Sequence, residues 1–254
     1  MVKRKRKVTK SRRRRKGRLF VWLFFLILLI GLTYYILSLP IWQIKYVVVN
    51  GTQMLSANEI RTMASVPLSG NLFFSNLSRT KSNLKSITAI SDFNIYRIPP
   101  ATILINIKER QPVAAIVFSD QSFFIDEQGY VLNRNPNLSL NIPNLPDLPV
   151  IAGMDRAAVL KVDRLDNKIA RVVLEVVVKL ARFLDLKNIR LELAGVDNIT
   201  LLLDDVLRVK LGDYNDIQKK MQVFKALLPV MAGRWSSVVY VDVRYPDNPV
   251  IKYK

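Results

Sequence analysis

The stretch "VVYVDVRYPDNPVIKY", residues 238–253, decides how the second half of the chain is read. Side chains alternate across a strand with a period of two. Val239, Val241, Val243 and Tyr245 therefore share one face, and Tyr240, Asp242 and Arg244 share the other. Pro246 and Pro249 then interrupt, because proline has no N–H to give to a ladder. The pattern predicts a final strand over Val239–Tyr245. Its valines should face the core, packed on a helix that carries Met221, Phe224 and Leu228, with Tyr240 and Arg244 turned outward near an edge. Two readings of that edge compete. In one it is an ordinary edge strand blunted by its prolines. In the other a partner adds an extended segment to it, Arg244 meeting partner acids bidentately while Tyr245 and Tyr253 act as flat anchors.

Working back from this strand, a helix is predicted over about 213–228, and strands at "RVKLG", "ITLLLD" and "IRLELA". Residues 163–186 carry the clearest helical pattern. Leu165, Ile169, Val172, Val173, Val176, Leu180 and Phe183 form an apolar stripe, opposite Lys168, Arg171, Glu175, Lys179 and Arg182. Upstream, "PVAAIVF" and "SFFIDEQGYVL" read as a strand pair with Asp126–Gly129 as a turn, and the Asn/Pro-rich residues 133–147 as an irregular connection. Nearer the N-terminus the order is β-α-α-β-β. "IKYVVVNG" is a strand closed by Asn-Gly; Ser56–Glu59 has the form of a capping box opening a helix through Ala64; Leu77, Lys81, Leu84 and Ile87 space a second helix. "FNIYRI" and "TILINIKE" are strands, the latter with Ile103, Ile105 and Ile107 on one face, joined by Pro99-Pro100.

The chain of 254 residues is 50% hydrophobic, enough for one or two packed cores. Its net charge of +19 resembles that of a nucleic-acid binder until it is located. Residues 1–18 hold twelve Lys or Arg and no acid, so most of the excess is one tail. The chain has no Cys and no His, which removes disulfides, thiolate chemistry, His metal sites and Ser-His or Cys-His catalysis. Residues 19–39, "LFVWLFFLILLIGLTYYILSL", carry no charge and at about 1.5 Å per residue span about 31 Å, the thickness of a hydrocarbon core. Trp22 at one end and Tyr34, Tyr35 and Trp42 at the other suit the two interfaces. The run is longer than a signal peptide's apolar region and "SLPIW" is a poor cleavage site, which favours an uncleaved anchor. Twelve positive charges before it predict a cytoplasmic N-terminus, with residues 41–254 on the far side of the membrane. That topology makes anionic lipid the expected partner of the tail and nucleic acid an unlikely one.

These elements and motifs, in this order, resemble the FtsQ/DivIB family of bacterial cell-division proteins. "VVVNGTQMLSANEI", "GNLFFSNL" and "YRIPPATILINIKERQPVA" are similar to that family's membrane-proximal POTRA domain and its exit; "FFIDEQGYVL", "LPVIAG", "VKLG" and "YVDVRYPDNPVIKY" are similar to its β-rich domain. "ER-x-PVA" and "VDVRY" are the most telling; the Asn/Pro-rich loop at Asn133–Asp147 departs from the pattern. The resemblance implies an α+β protein with a basic tail (1–18), a single transmembrane helix (19–39), a POTRA domain (41–110) and a second, antiparallel β-rich domain with two helices (111–254). It implies a non-enzymatic scaffold at the division septum of the inner membrane, without cofactors. Such a scaffold binds FtsB/FtsL-like bitopic partners and through them reaches the septal cell-wall synthase. The implied partner-binding residues are Tyr240, Arg244, Tyr245, Asp247 and Tyr253.

Two other readings remain open from the residues themselves: a single-pass envelope enzyme acting on the cell wall, or a POTRA-containing translocation component. Against the enzyme, Ser78–Lys81 matches Ser-x-x-Lys, but no Ser-Asp-Asn or Lys-Thr-Gly element accompanies it. Asp126-Glu127 and Asp204-Asp205 have the composition of acid–base or cation sites, yet each sits beside an apolar strand at a turn, where solvated acids are expected. Against the translocation component, no series of lipid-facing barrel strands is visible.

Overall fold

A computed structural model describes residues 11–136, 138–142, 148–180, 188–193 and 197–254. The first ten residues of the basic tail, residues 143–147 of the irregular connection, and Arg182 and Phe183 of the long helix lie outside these. Contacts divide the chain into two compact units. One comprises residues 1–48, 66–77 and 95–104; the other comprises 49–65, 78–94 and 105–254.

In the first unit, helix α1 (Ser11–Ser38) contains the apolar stretch Arg18–Ser38, long and apolar enough to cross a membrane. It stops because Leu39 precedes Pro40. The ring of Pro40 disfavours helical backbone at Leu39, which adopts φ −59°, ψ 147°. The last carbonyls of a helix have no partner within it. Here side chains supply them: Ser38 Oγ donates to Tyr35 O (2.8 Å), Trp42 Nε1 to Ile36 O (2.7 Å) and Asn71 Nδ2 to Leu37 O (2.7 Å).

Strands β1 (Tyr46–Asn50), β2 (Ile90–Ile98) and β3 (Thr102–Glu109) form a three-stranded sheet of order β1-β3-β2. With α2 (Ala57–Ala64) and α3 (Ser78–Lys85) between β1 and β2, the expected β-α-α-β-β order is present. Ile103, Ile105 and Ile107 are all buried. The capping box does not close, however. Ser56 makes no side-chain cap, and the Glu59 carboxylate instead accepts the backbone N–H of Ser139 (3.1 Å).

The second unit contains an eight-stranded sheet. Its strands are β4 (Ala114–Val117), β5 (Ser122–Ile125), β6 (Val150–Ala152), β7 (Ile189–Leu193), β8 (Ile199–Leu203), β9 (Leu207–Gly212), β10 (Val238–Asp242) and β11 (Val250–Tyr253). They lie in the order β11-β10-β9-β8-β7-β6-β4-β5. The expectation of an antiparallel sheet is corrected, because β4–β6, β6–β7 and β9–β10 pair parallel. Parallel neighbours need a crossover. Helices α4 (Arg156–Lys161) and α5 (Asn167–Val172) lie in the one between β6 and β7, and α6 (Ile217–Met231) in the one between β9 and β10. One sheet face is buried in a continuous apolar core with Val172, Val173, Val176, Met221, Phe224 and Leu228.

The long helix also starts later than its pattern suggests. Residues 163–165 are held in extended form beside 129–131, with Val131 N–H donating to Asp163 O (3.0 Å) and Leu165 N–H to Gly129 O (2.8 Å). Helix α5 then begins after Asp166, whose side chain caps Lys168 N (2.7 Å), and widens to π-type turns over Val173–Val178. Helix α6 likewise begins at Ile217, not Asp213, since the Asp213 carboxylate holds the buried ammonium of Lys220.

Candidate functional site

Strand β10 is not an edge. It pairs parallel with β9 and antiparallel with β11, so the chain supplies the neighbour that its prolines were expected to discourage. The two prolines shape the connection. Tyr245–Asn248 is a turn, with Pro246 second and the Asn248 N–H donating to Tyr245 O (3.0 Å), and Val250–Tyr253 returns along β10. An alternating four-residue run after a Pro/Asp/Asn turn was the available signal for this last strand, which the sequence reading missed.

The valine face also needs correction. Val238 lies opposite Tyr253 and Tyr240 opposite Lys252, which leaves Val239 as the extra residue of a bulge. The bulge shifts the alternation by one. Val238, Val241 and Val243 are buried, whereas Val239 is 41% exposed.

The open edge is the outer side of β11. Lys254 N–H donates inward to Ser237 O (2.9 Å), and Val243 N–H donates to Lys210 O on the β9 side (3.0 Å). Backbone groups alternate along a strand, so the N–H and C=O of Ile251 and Tyr253 face away from β10.

The five residues expected to bind a partner all lie on this corner, in different states. Tyr245 is 72% exposed, and Tyr253 is partly exposed with the Arg234 guanidinium 5.9 Å from its ring centroid. Tyr240 is half-buried, its ring facing Lys210 Nζ at 4.0 Å and Lys252 Nζ at 5.8 Å, a cation–π arrangement. Arg244 clasps Asp242 in its own strand. Nε reaches both carboxylate oxygens at 3.0 Å and one terminal nitrogen reaches Oδ2 at 2.7 Å. That hydrogen-bonded contact holds the Asp242 carboxyl below its ordinary range and raises Arg244. The stem of Arg244 covers Gly212, where a Cβ would stand 3.0 Å from Arg244 Cγ at a backbone φ of +70°. Asp247 pairs with Lys219 on α6 (2.8 Å), which raises the Lys219 ammonium and ties the turn to that helix.

The motif "ER-x-PVA" is structural. Glu109, 8% exposed, accepts three consecutive backbone N–H groups: Gln53 (3.0 Å), Met54 (2.9 Å) and Leu55 (2.9 Å). Arg110 pairs with Asp126 (2.7 Å), and its guanidinium lies 3.7 Å from the Tyr130 ring centroid. Asp126 is therefore not the solvated turn acid expected. It is buried, and it also accepts the N–H groups of Gln128 (2.9 Å) and Tyr130 (2.8 Å). Asp204 and Asp205 are exposed turn residues at φ 47° and 55°, and Ser78 and Lys81 are exposed in the first turn of α3. Among the described residues no group of three or more acidic side chains is placed to hold a metal ion.

Comparison with known proteins places two family descriptions on the chain: "POTRA domain, FtsQ-type" over residues 42–110 and "Cell division protein FtsQ/DivIB, C-terminal" over residues 115–244. The chain is similar to the cell division protein DivIB of Clostridium tetani, 27% identical over 228 residues that cover 85% of this chain and 81% of the relative. It is also similar to the cell division protein FtsQ of Mycobacteroides abscessus, 25% identical over 223 residues, 88% of this chain and 66% of the relative. A solved structure of the major extracytoplasmic domain of the cell division protein DivIB from Geobacillus stearothermophilus overlaps 50% of this chain and 98% of that one. It does so at 16% identity with a TM-score of 0.28, too loose a superposition to carry weight.

Proposed function

This chain belongs to the FtsQ/DivIB family of bacterial cell-division proteins, and from that premise we propose that it is a non-enzymatic scaffold of the division machinery. Helix α1 anchors it in the cytoplasmic membrane, with the basic residues before Arg18 on the cytoplasmic side against anionic lipid and residues 41–254 outside. The folded part receives an extended segment of a small bitopic partner of the FtsB/FtsL kind, and through it reaches the septal wall synthase. The observation that supports this reading is the open outer edge of β11, flanked by the exposed rings of Tyr245 and Tyr253. Tyr240, Arg244 and Asp247 hold that corner in shape.

The test uses the full-length chain as bait in solubilised membranes, in three forms. Tyr253→Ala removes the ring but keeps the outward N–H; Tyr253→Pro removes both, a change an edge strand tolerates on its own account. Wild type should retain a small bitopic helical protein, Tyr253→Ala should retain less, and Tyr253→Pro should retain none. A catch without such a protein, or one indifferent to Tyr253→Pro, refutes the reading. Depletion in the host should leave long unseptated filaments; intact division with altered wall composition would favour a wall enzyme.

A further inference from the structure

The segment Val66–Asn76 belongs to the same compact unit as α1 and is pinned to the end of that helix. Its backbone runs against residues 42–44, with Ile44 N–H donating to Gly70 O (2.8 Å), Ser69 N–H to Ile44 O (3.0 Å) and Leu72 N–H to Trp42 O (2.6 Å). Asn71 Nδ2 reaches the last turn of α1 at Leu37 O, while its Oδ1 accepts the N–H of Phe73 (2.9 Å). Arg97 braces the loop from behind, donating to the carbonyls of Leu72, Phe73 and Ser75.

This bracing sets the loop's depth. The Phe74 ring lies 5.5 Å from the Tyr34 ring, and Tyr34 precedes the helix end at Ser38 by one turn, about 6 Å along the axis. Side chains on a helix lean toward its N-terminus, so the pair of rings sits further into the span than Tyr34 Cα itself. Phe74 is nevertheless 52% exposed, and Leu68, on the same loop, is 62% exposed. Large apolar side chains held beside a membrane-spanning helix at the level of its aromatic belt meet lipid, not water.

We propose that residues 66–76 dip into the outer leaflet, with Leu68 and Phe74 seated at the boundary between headgroups and acyl chains. The ligand of this surface is the bilayer itself. The loop thereby gives the first unit a second membrane contact beside α1, which opposes rotation and tilt of the anchor relative to the domain it carries. This rests on α1 spanning the bilayer.

The chain has no cysteine, so single cysteines can be placed and spin-labelled without altering any native thiol. The full-length protein would carry Leu68→Cys, Phe74→Cys, Leu28→Cys within the span, or Val206→Cys on the exposed turn between β8 and β9. Each would be reconstituted alone into vesicles of phosphatidylethanolamine with a minority of phosphatidylglycerol. Collision rates with oxygen, which concentrates in the bilayer, and with a water-soluble nickel chelate are then compared. The expected order of the oxygen-to-nickel ratio is Leu28 highest, Phe74 and Leu68 intermediate, Val206 lowest. Ratios at 68 and 74 equal to that at 206, with 28 still in lipid, overturn the loop insertion alone. A water-like ratio at 28 overturns the anchor and the insertion together. Labels at 68 and 74 reached by neither reagent mean that protein covers the loop, and that also overturns the proposal.

Discussion

Truncating Glu109 to alanine should be among the most damaging single changes in the POTRA-like part of the chain. Its carboxylate accepts the N–H groups of Gln53, Met54 and Leu55 at 2.9–3.0 Å, and Met54 and Leu55 are themselves buried. Gln53 is exposed, so its amide recovers a water when the carboxylate goes. The other two donors lose a charged acceptor and gain nothing. At about 1.5–2.5 kcal/mol for each stranded buried donor, Glu109→Ala should cost about 3–5 kcal/mol. Glu109→Gln keeps the shape and one acceptor oxygen but turns an NH2 group toward a donor, so about 1–2 kcal/mol is expected. Urea unfolding of the full-length protein in micelles, followed by hydrogen exchange, reads both the total and the place. Amides 53–55 should lose protection first, ahead of the β8–β9 ladder. If Glu109→Ala unfolds within about 1 kcal/mol of wild type with amides 53–55 still protected, the carboxylate does not hold the loop and the reasoning fails.

The partner corner yields three further expectations. Arg244→Glu sets a second carboxylate beside Asp242 on a largely exposed pair, so folding should lose only about 1 kcal/mol while partner binding falls tenfold or more; circular dichroism and a pull-down separate the two, and normal binding would leave β10–β11 without a special role. Val241→Asp puts an unpaired carboxylate where the native side chain is fully buried, and the variant should misfold; a folded, soluble Val241→Asp would contradict the placement of β10. Acid should act through the depressed carboxyls of Asp242, held down by Arg244, and Asp213, held down by Lys220. Both contribute stability above the ordinary Asp value near 3.8 that is lost as pH falls below it, so unfolding midpoints should be flat near neutrality and drop below pH of about 4, less steeply in Asp242→Asn.

The elements that could be read from the sequence are those whose signal is local and periodic. The alternation of Ile103, Ile105 and Ile107, the stripe of Met221, Phe224 and Leu228 and the uncharged run ending at Ser38 each express one face of one element, and each is placed as expected. What escaped depends on residues far apart in the chain. Nothing around Glu109 marks it as a cap for amides more than fifty residues earlier; beside Lys108 and Arg110 it reads as one charge in a solvated run. Asp126 looked like a turn acid because its partner Arg110 sits in another strand's exit. The bulge at Val239 escaped because alternation carries no mark of an extra residue; only pairing with β11 reveals it. The parallel pairings were hidden for the same reason, since strand direction is decided by what the crossover helices bury and not by the strand's own pattern.

The candidate corner is rich in charge, yet its charges are largely committed to one another. Arg244 is clasped by Asp242, Asp247 by Lys219, and Lys210 lies over Tyr240. A partner that displaced these contacts would exchange one ion pair for another in solvent, where such pairs contribute little. Affinity at this edge should therefore come from what is uncommitted: the outward backbone groups of Ile251 and Tyr253 and the exposed rings of Tyr245 and Tyr253. Neither ladder hydrogen bonds nor ring burial is screened as exposed charges are. The dissociation constant for a bitopic partner should thus change by no more than about threefold between about 0.05 and 0.5 M salt, whereas Tyr253→Pro should weaken it at every salt concentration. Titrating full-length protein in detergent against its captured partner across that range gives the answer. A tenfold or greater loss at high salt would mean that Arg208, Lys210 and Lys252, on the open face of the sheet, are recruited by partner acids, and that the docking surface is this basic face in place of the β11 edge.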